Sequence, residues 1–255
     1  MNRDEFGKRL GRLQEVLGGG LACYTAWKRL ALHDPSKVSW SLEEQNEVFG
    51  RYRGFITPVA YALHHTALME FAKLFDIDRR AVSLTNLLAV ARQDTSVIPH
   101  AGESDVRKIS AQLRQSARIR ARLKRMRDQQ LAHVDAEPVP VGPIRNTELD
   151  ELVDDVKAAF SFLWMAHNGG TVSWEYWLRT ADEHTIATLH VLRKEIERVQ
   201  KRREDEMVRI GLEETRRRQT VIGRRLSTEE LRSIGQSFGL TGQEVQRVEE
   251  QYSSN

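Results

Sequence analysis

Apolar residues recur at three- and four-residue intervals along most of the chain, and no stretch of six or more residues alternates strictly between apolar and polar. A helical period without a strand period predicts an all-α protein. The first helix is expected over about Arg3 to Leu17, stopped by Gly18-Gly19-Gly20, and a second from Leu21 to about Leu32, before His33-Asp34-Pro35. The string SLEE then supplies a capping box, with Ser41 as cap and Glu44 reaching back, for a long helix to about Phe75. Pro58 should kink that helix or start a new segment.

Further on, a short helix is expected from Ser83 to Ala91 and a long one from Ser104 to His133. Helices also fit Thr147 to Met165 and Ala181 to about Arg218, the latter densely charged. The C-terminal segment STEELRSIGQSFGLTGQEVQRVEEQ reads as two short helices, capped by Ser227 or Thr228 and by Thr241, turning at Gly239. Three of the six prolines fall in EPVPVGP, Glu137 to Pro143, which makes that stretch the clearest internal break. Because charge density rises beyond about Thr180, the chain divides into a helical bundle over 1–180 and a charged helical extension over 181–255.

Length and composition bound the function. The 255 residues, with 29% charged and 40% hydrophobic, can bury a real core and are too polar overall for a membrane bundle. The longest uncharged runs, Gly54 to Met69 and Ala158 to Trp174, fall short of a membrane span. Asp4 and Glu5 interrupt the N-terminus where a secretory signal needs an apolar core. A single cysteine, Cys23, leaves no intrachain disulfide framework and no cysteine-based metal site. A cytoplasmic protein without a metal or other cofactor is expected.

Charge changes the picture locally rather than globally. The net charge is only +3, yet 30 arginines stand against 9 lysines. Between Asp105 and Arg127 lie Arg107, Lys108, Arg114, Arg118, Arg120, Arg122, Lys124, Arg125 and Arg127, with Asp105 as the one acid. A solvated helix face ordinarily interleaves acids at four-residue spacing, and this one does not. Its field suits a polyanion, and Arg118, Arg120, Lys124 and Arg125 are the expected substrate-binding cations.

On the same helix Ile119, Leu123 and Met126 form an apolar stripe that, continued by seven residues, reaches His133. Arg127 lies about 120° round the helix from His133 and about 9 Å along it. One helix cannot aim both at one atom, whereas two copies about a twofold axis can. That geometry, with the stripe of Ile119, Leu123, Met126 and His133 offered as the face between copies on a helix charged elsewhere, points to a homodimer.

Here a resemblance enters. RDQQLAH, Arg127 to His133, resembles the motif of the HEPN superfamily in which an arginine and a polar residue are followed, after three to five residues, by histidine, with Asp128 in the polar position. Upstream, ALMEFAKLFD (Ala67 to Asp76) and SLTNLL (Ser83 to Leu88) resemble the abortive-infection AbiU-like branch of that superfamily. With 30 arginines and eight histidines, about three chance matches to the motif are expected, so the upstream strings carry the resemblance. Arg179 to His184 is one such match, set aside because Thr180 follows the arginine and His184 is expected near a helix start, whereas the motif should close a basic helix. The resemblance implies a dimeric bundle of about four core helices, with arginine and histidine from both protomers meeting in a cleft. It also implies a metal-independent endoribonuclease of a phage-defence or toxin–antitoxin system, acting on RNA and paired with a cognate antitoxin or defence partner. Arg127 and His133 would be catalytic, with Asp128 orienting one of them or capping the helix.

The chemistry agrees with these residue types. Histidine exchanges protons near neutral pH, and arginine clamps phosphate oxygens without losing its own proton. The alternative is a non-catalytic module that binds RNA, a nucleotide or a partner through residues 105–133. His64-His65 with Glu70 makes a poor metal site, because adjacent helical histidines diverge by about 100°. Trp164, Trp174, Tyr176 and Trp177 are expected to pack the end of the bundle.

Overall fold

A computed structural model describes residues 1–31, 40–78, 80–131, 142 and 144–253. Ten α-helices and no strand occur among the described residues, so the all-α expectation holds. They are α1 (Arg3–Ala31), α2 (Leu42–Arg51), α3 (Arg53–Lys73), α4 (Leu84–Gln93), α5 (Glu103–Gln115), α6 (Ala117–Met126), α7 (Asn146–Asn168), α8 (Glu175–Ile222), α9 (Thr228–Ser237) and α10 (Gly242–Ser253). The chain divides into two compact units, Met1–Ala187 and Thr188–Asn255, and α8 runs from the first into the second.

In the first unit α1 lays Phe6, Leu10, Leu13, Leu17, Leu21 and Tyr24 along one stripe, all buried. Steps of four and three residues keep that stripe against a neighbouring helix. Ala67, Leu68 and Phe71 of α3, Leu84 and Leu87 of α4, and Leu152, Val156, Phe160 and Leu163 of α7 close the core around it. Each fully buried leucine or phenylalanine contributes about 1.5–3 kcal/mol.

Three sequence expectations are corrected here. The glycine triplet does not end a helix; α1 runs straight through it. Gly18 and Gly20 are buried, and a Cβ on Gly18 would run into the indole of Trp177. A Cβ on Gly20 would press on Phe71 and Glu70 at 3.0 and 3.1 Å. These glycines are sites of close approach, not stops.

The second correction concerns Pro58, which starts no new segment but lies inside α3, while the break falls at Tyr52 (φ −104°, ψ 20°). Pro58 and Gly54, whose carbonyl loses its donor, are both exposed, so water can take over that acceptor. The third is the long helix expected from Ser104, which is broken at Ser116. There a buried hydroxyl donates to the Leu113 carbonyl at 3.0 Å and competes with the helical ladder. The capping box does form, Glu44 N–H donating to Ser41 Oγ at 3.2 Å and Ser41 N–H to Glu44 Oε2 at 2.6 Å.

The second unit has its own small core, from Val208, Leu240, Val245 and Val248 on one side and Leu226, Leu231, Ile234 and Tyr252 on the other. Ser227 caps α9, and Gly239 takes a φ of 69° that lets the chain turn back into α10.

Candidate functional site

The site is built where the end of α6 meets the connector between α3 and α4. Ser83 is fully buried; its hydroxyl donates to the Asp76 carbonyl at 2.6 Å and accepts from the Asn86 N–H, capping α4. The Asn86 amide donates to the carbonyls of Asp78 and Ala81, and the Leu84 N–H to that of Leu74 at 2.8 Å. The residues of SLTN thus pin the connector and leave the Asp76 carboxylate facing the end of α6.

After Met126 the helix widens into a π-helical turn, Arg127–Leu131. Such a turn carries more residues per revolution than an α-helix and shifts the phase of the residues beyond it. Arg127, its side chain only 17% exposed, meets two carboxylates there. Nε donates to Asp128 Oδ1 at 2.6 Å, and Nη1 to Asp76 Oδ2 at 3.4 Å. The Asp128 bond, ahead of Asp76, raises the arginine's pKa further. Arg127 is a fixed cation.

His133 lies outside the described residues. The expected continuation of the apolar stripe to His133 lies outside them too. The stripe itself is occupied within the chain: Ile119 and Leu123 are buried, and Met126 packs on the same core. It is therefore no free face for a second copy, and a dimer must use another surface.

The basic residues divide by direction. Arg118, Lys124 and Arg125 are exposed on α6, and Lys108 and Arg114 on α5; none pairs with a described acid. Arg120 instead turns inward, its guanidinium 5.1 Å from the centre of the Phe75 ring. Burial lowers its pKa from the ordinary arginine value, with Asp155 opposing. Arg122 grips Glu148 of α7 at 2.8 and 3.1 Å and donates to the Gly142 carbonyl at 3.1 Å. Arg107 pairs with Glu103 at 2.7 Å. The acids that sequence spacing did not find come from other elements: Glu148 and Asp155 from α7, Asp76 from the connector.

Other constellations fall away. Arg179 is 71% exposed and pairs with Glu183 one turn along α8. His64 stacks on Trp27 at 4.3 Å and His65 lies on Tyr61 at 3.9 Å; burial lowers both pKa values. No group of three His, Cys, Asp or Glu side chains able to share a metal occurs among the described residues. Trp164 and Trp174 pack on the core, and Trp174 donates to the Ser161 hydroxyl at 3.0 Å; Tyr176 is exposed. In the tail, Arg218 and Arg217 both meet Glu214, and Arg224 meets Glu230. No described helix is long and apolar enough to cross a membrane.

The comparison with protein families agrees with the strings that build this site. The sequence profile of the HEPN AbiU2 family matches residues 4–186, nearly the whole of the first unit, and the chain belongs to that family. No curated protein and no solved structure matches it.

Proposed function

We propose that the protein is a metal-independent endoribonuclease of a bacterial phage-defence or toxin–antitoxin system, acting in the cytoplasm as a homodimer. Membership of an abortive-infection HEPN family supports the class. The observation that carries the reading is Arg127, a guanidinium held by two carboxylates at the end of a helix pair whose exposed Lys108, Arg114, Arg118, Lys124 and Arg125 pair with no described acid.

The chemistry derives from the residue types. An RNA strand lies along Arg118, Lys124 and Arg125, which meet its phosphates. His133 takes the proton of a 2′-hydroxyl, the 2′-oxygen attacks the adjacent phosphorus, and the 5′-oxygen leaves with a proton returned by imidazolium. The P–O5′ bond breaks as the P–O2′ bond forms, leaving a 2′,3′-cyclic phosphate and a 5′-hydroxyl. Proton transfer of this kind contributes about 10²- to 10⁴-fold. Arg127 meets the charge that gathers on the phosphorane oxygens.

The rival is a non-catalytic binding module. It is favoured by the same two carboxylates, since an arginine neutralised on both sides also serves as a purely structural tie. Incubating the purified chain with RNA in EDTA separates the two. The nuclease predicts cleavage with cyclic-phosphate ends, intact DNA, and loss of activity in both His133→Ala and Arg127→Ala. Cleavage by His133→Ala at the wild-type rate ends this reading and returns the basic helices to a binding role.

A further inference from the structure

Asp76 does for Arg127 what Asp128 cannot. Asp128 follows Arg127 in the same turn, so their 2.6 Å bond moves with that turn and sets no register against the bundle. Asp76 stands on a different element, the connector between α3 and α4, and takes Nη1 at 3.4 Å. The connector is itself anchored. The buried Ser83 hydroxyl holds the Asp76 carbonyl, the Leu84 N–H holds the Leu74 carbonyl, and both leucines are fully buried. The Asp76 carboxylate is steadied in turn by the Asp78 N–H, which donates to Oδ1 at 3.0 Å.

A guanidinium offers an anion two double-donor edges, Nε with Nη2 and Nη1 with Nη2. Asp128 takes Nε and Asp76 takes Nη1, so Nη2 is the nitrogen that no described carboxylate takes. Two acids on two different nitrogens, supplied by two different elements, restrain the plane of the guanidinium, and with it the direction of Nη2. We propose, on the basis of the endoribonuclease reading, that Asp76 is a positioning residue that holds Arg127 with Nη2 presented to the scissile phosphate. It acts through Arg127 and touches no substrate. A misplacement of about 1 Å at a charge-stabilising group costs about 100-fold in rate, which sets the scale of the effect.

The test compares Asp76→Ala and Asp76→Asn in the full chain, with folding checked by circular dichroism. Single-turnover cleavage at saturating RNA should fall about 10- to 100-fold in Asp76→Ala. Binding of an uncleavable RNA carrying 2′-deoxy sugars should stay within about threefold, because the exposed cations remain. Asp76→Asn, whose amide oxygen still accepts from Nη1, should recover most of the rate. The Arg127 Nε–H resonance, assigned with Arg127→Lys, should be sharp in the wild type and broadened by exchange in Asp76→Ala.

Cleavage by Asp76→Ala at or above the wild-type rate overturns the proposal, and a faster rate would identify Asp76 as a competitor of the phosphate instead. Should Asp76→Ala fail to fold, Asp76→Leu, which also removes the acceptor, takes its place with the same expected loss of rate and the same broadened resonance. If the wild type cuts no RNA, the nuclease reading fails by itself, while the Arg127 resonance still reports whether Asp76 holds that side chain. An unchanged resonance in Asp76→Ala sinks the positioning role.

Discussion

Arg29 and Asp182 form a buried ion pair, Nη2 and Nε donating to one carboxylate oxygen at 2.6 and 2.8 Å, with side chains 6% and 14% exposed. The pair joins the last turns of α1 to the early turns of α8, two residues beyond the boundary expected from charge density at 180. Removing one partner of a buried pair leaves an uncompensated charge and costs about 3–5 kcal/mol. We therefore expect Asp182→Ala to lose that much in urea denaturation, and a chain ending at 180 to be destabilised comparably. A chain ending at 187 keeps the pair. Equal stability of the two truncations would remove this contact from the account of the first unit.

The glycine triplet gives a prediction of opposite signs. Gly19 is exposed and no atom lies within 4 Å of where its Cβ would stand, so Gly19→Ala should stabilise α1 by about 0.5–1 kcal/mol. Gly18→Ala drives a methyl into the Trp177 ring and should cost about 1–3 kcal/mol. Thermal melts of the two variants read both signs directly.

Electrostatic steering of RNA should be separable from structural ion pairs. Replacing Arg118, Lys124 and Arg125 together by alanine should flatten the dependence of log Kobs on log salt by about 2, at about 0.7 per lost single-strand phosphate contact. Arg107→Ala, which only breaks a pair with Glu103, should leave the slope nearly unchanged. An unaltered slope in the triple variant would send the RNA to another face.

A composite dimer site has an arithmetic signature. Mixed His133→Ala and Arg127→Ala chains form about half hetero-dimers, each with one intact site, so about a quarter of wild-type cleavage should return. Light scattering of the wild type should show a dimer at micromolar concentration. A monomer with full activity would dismiss the composite site.

In the second unit, Glu230 bonds the Arg224 guanidinium at 2.7 Å and the Ser227 N–H at 2.8 Å, and these hold its pKa down at about 2 from an ordinary 4.5. A depressed folded-state value means that its contribution is complete above about 4.5 and is lost as the pH falls towards 2. A carboxyl-detected titration should place Glu230 well below the other glutamates, and Arg224→Ala should move its midpoint up. A midpoint near 4.5 in the wild type would dissolve the cap network.

The periodicity of apolar residues and the caps at Ser41 and Ser227 were legible from the chain, because helix formation and capping are settled within one or two turns. So was the family, carried by ALMEFAKLFD, SLTNLL and RDQQLAH. What those strings share in space was not. That Ser83 anchors the connector and that Asp76 meets Arg127 depends on two segments about fifty residues apart closing on one another.

The same division explains the misreadings. Gly18 looks like a helix stop until Trp177, far along the chain, is seen to occupy the space a Cβ would need. The stripe of Ile119, Leu123 and Met126 looks like a dimer face until the chain's own core is seen to cover it. The basic run looks uniformly free until Phe75, Glu148 and Asp76 single out Arg120, Arg122 and Arg127. Residue type and spacing determine which helices form and what chemistry their side chains can perform. Only packing decides which way each cation points and which acid stands beside it, because those energies arise between residues that are neighbours in space and strangers in sequence.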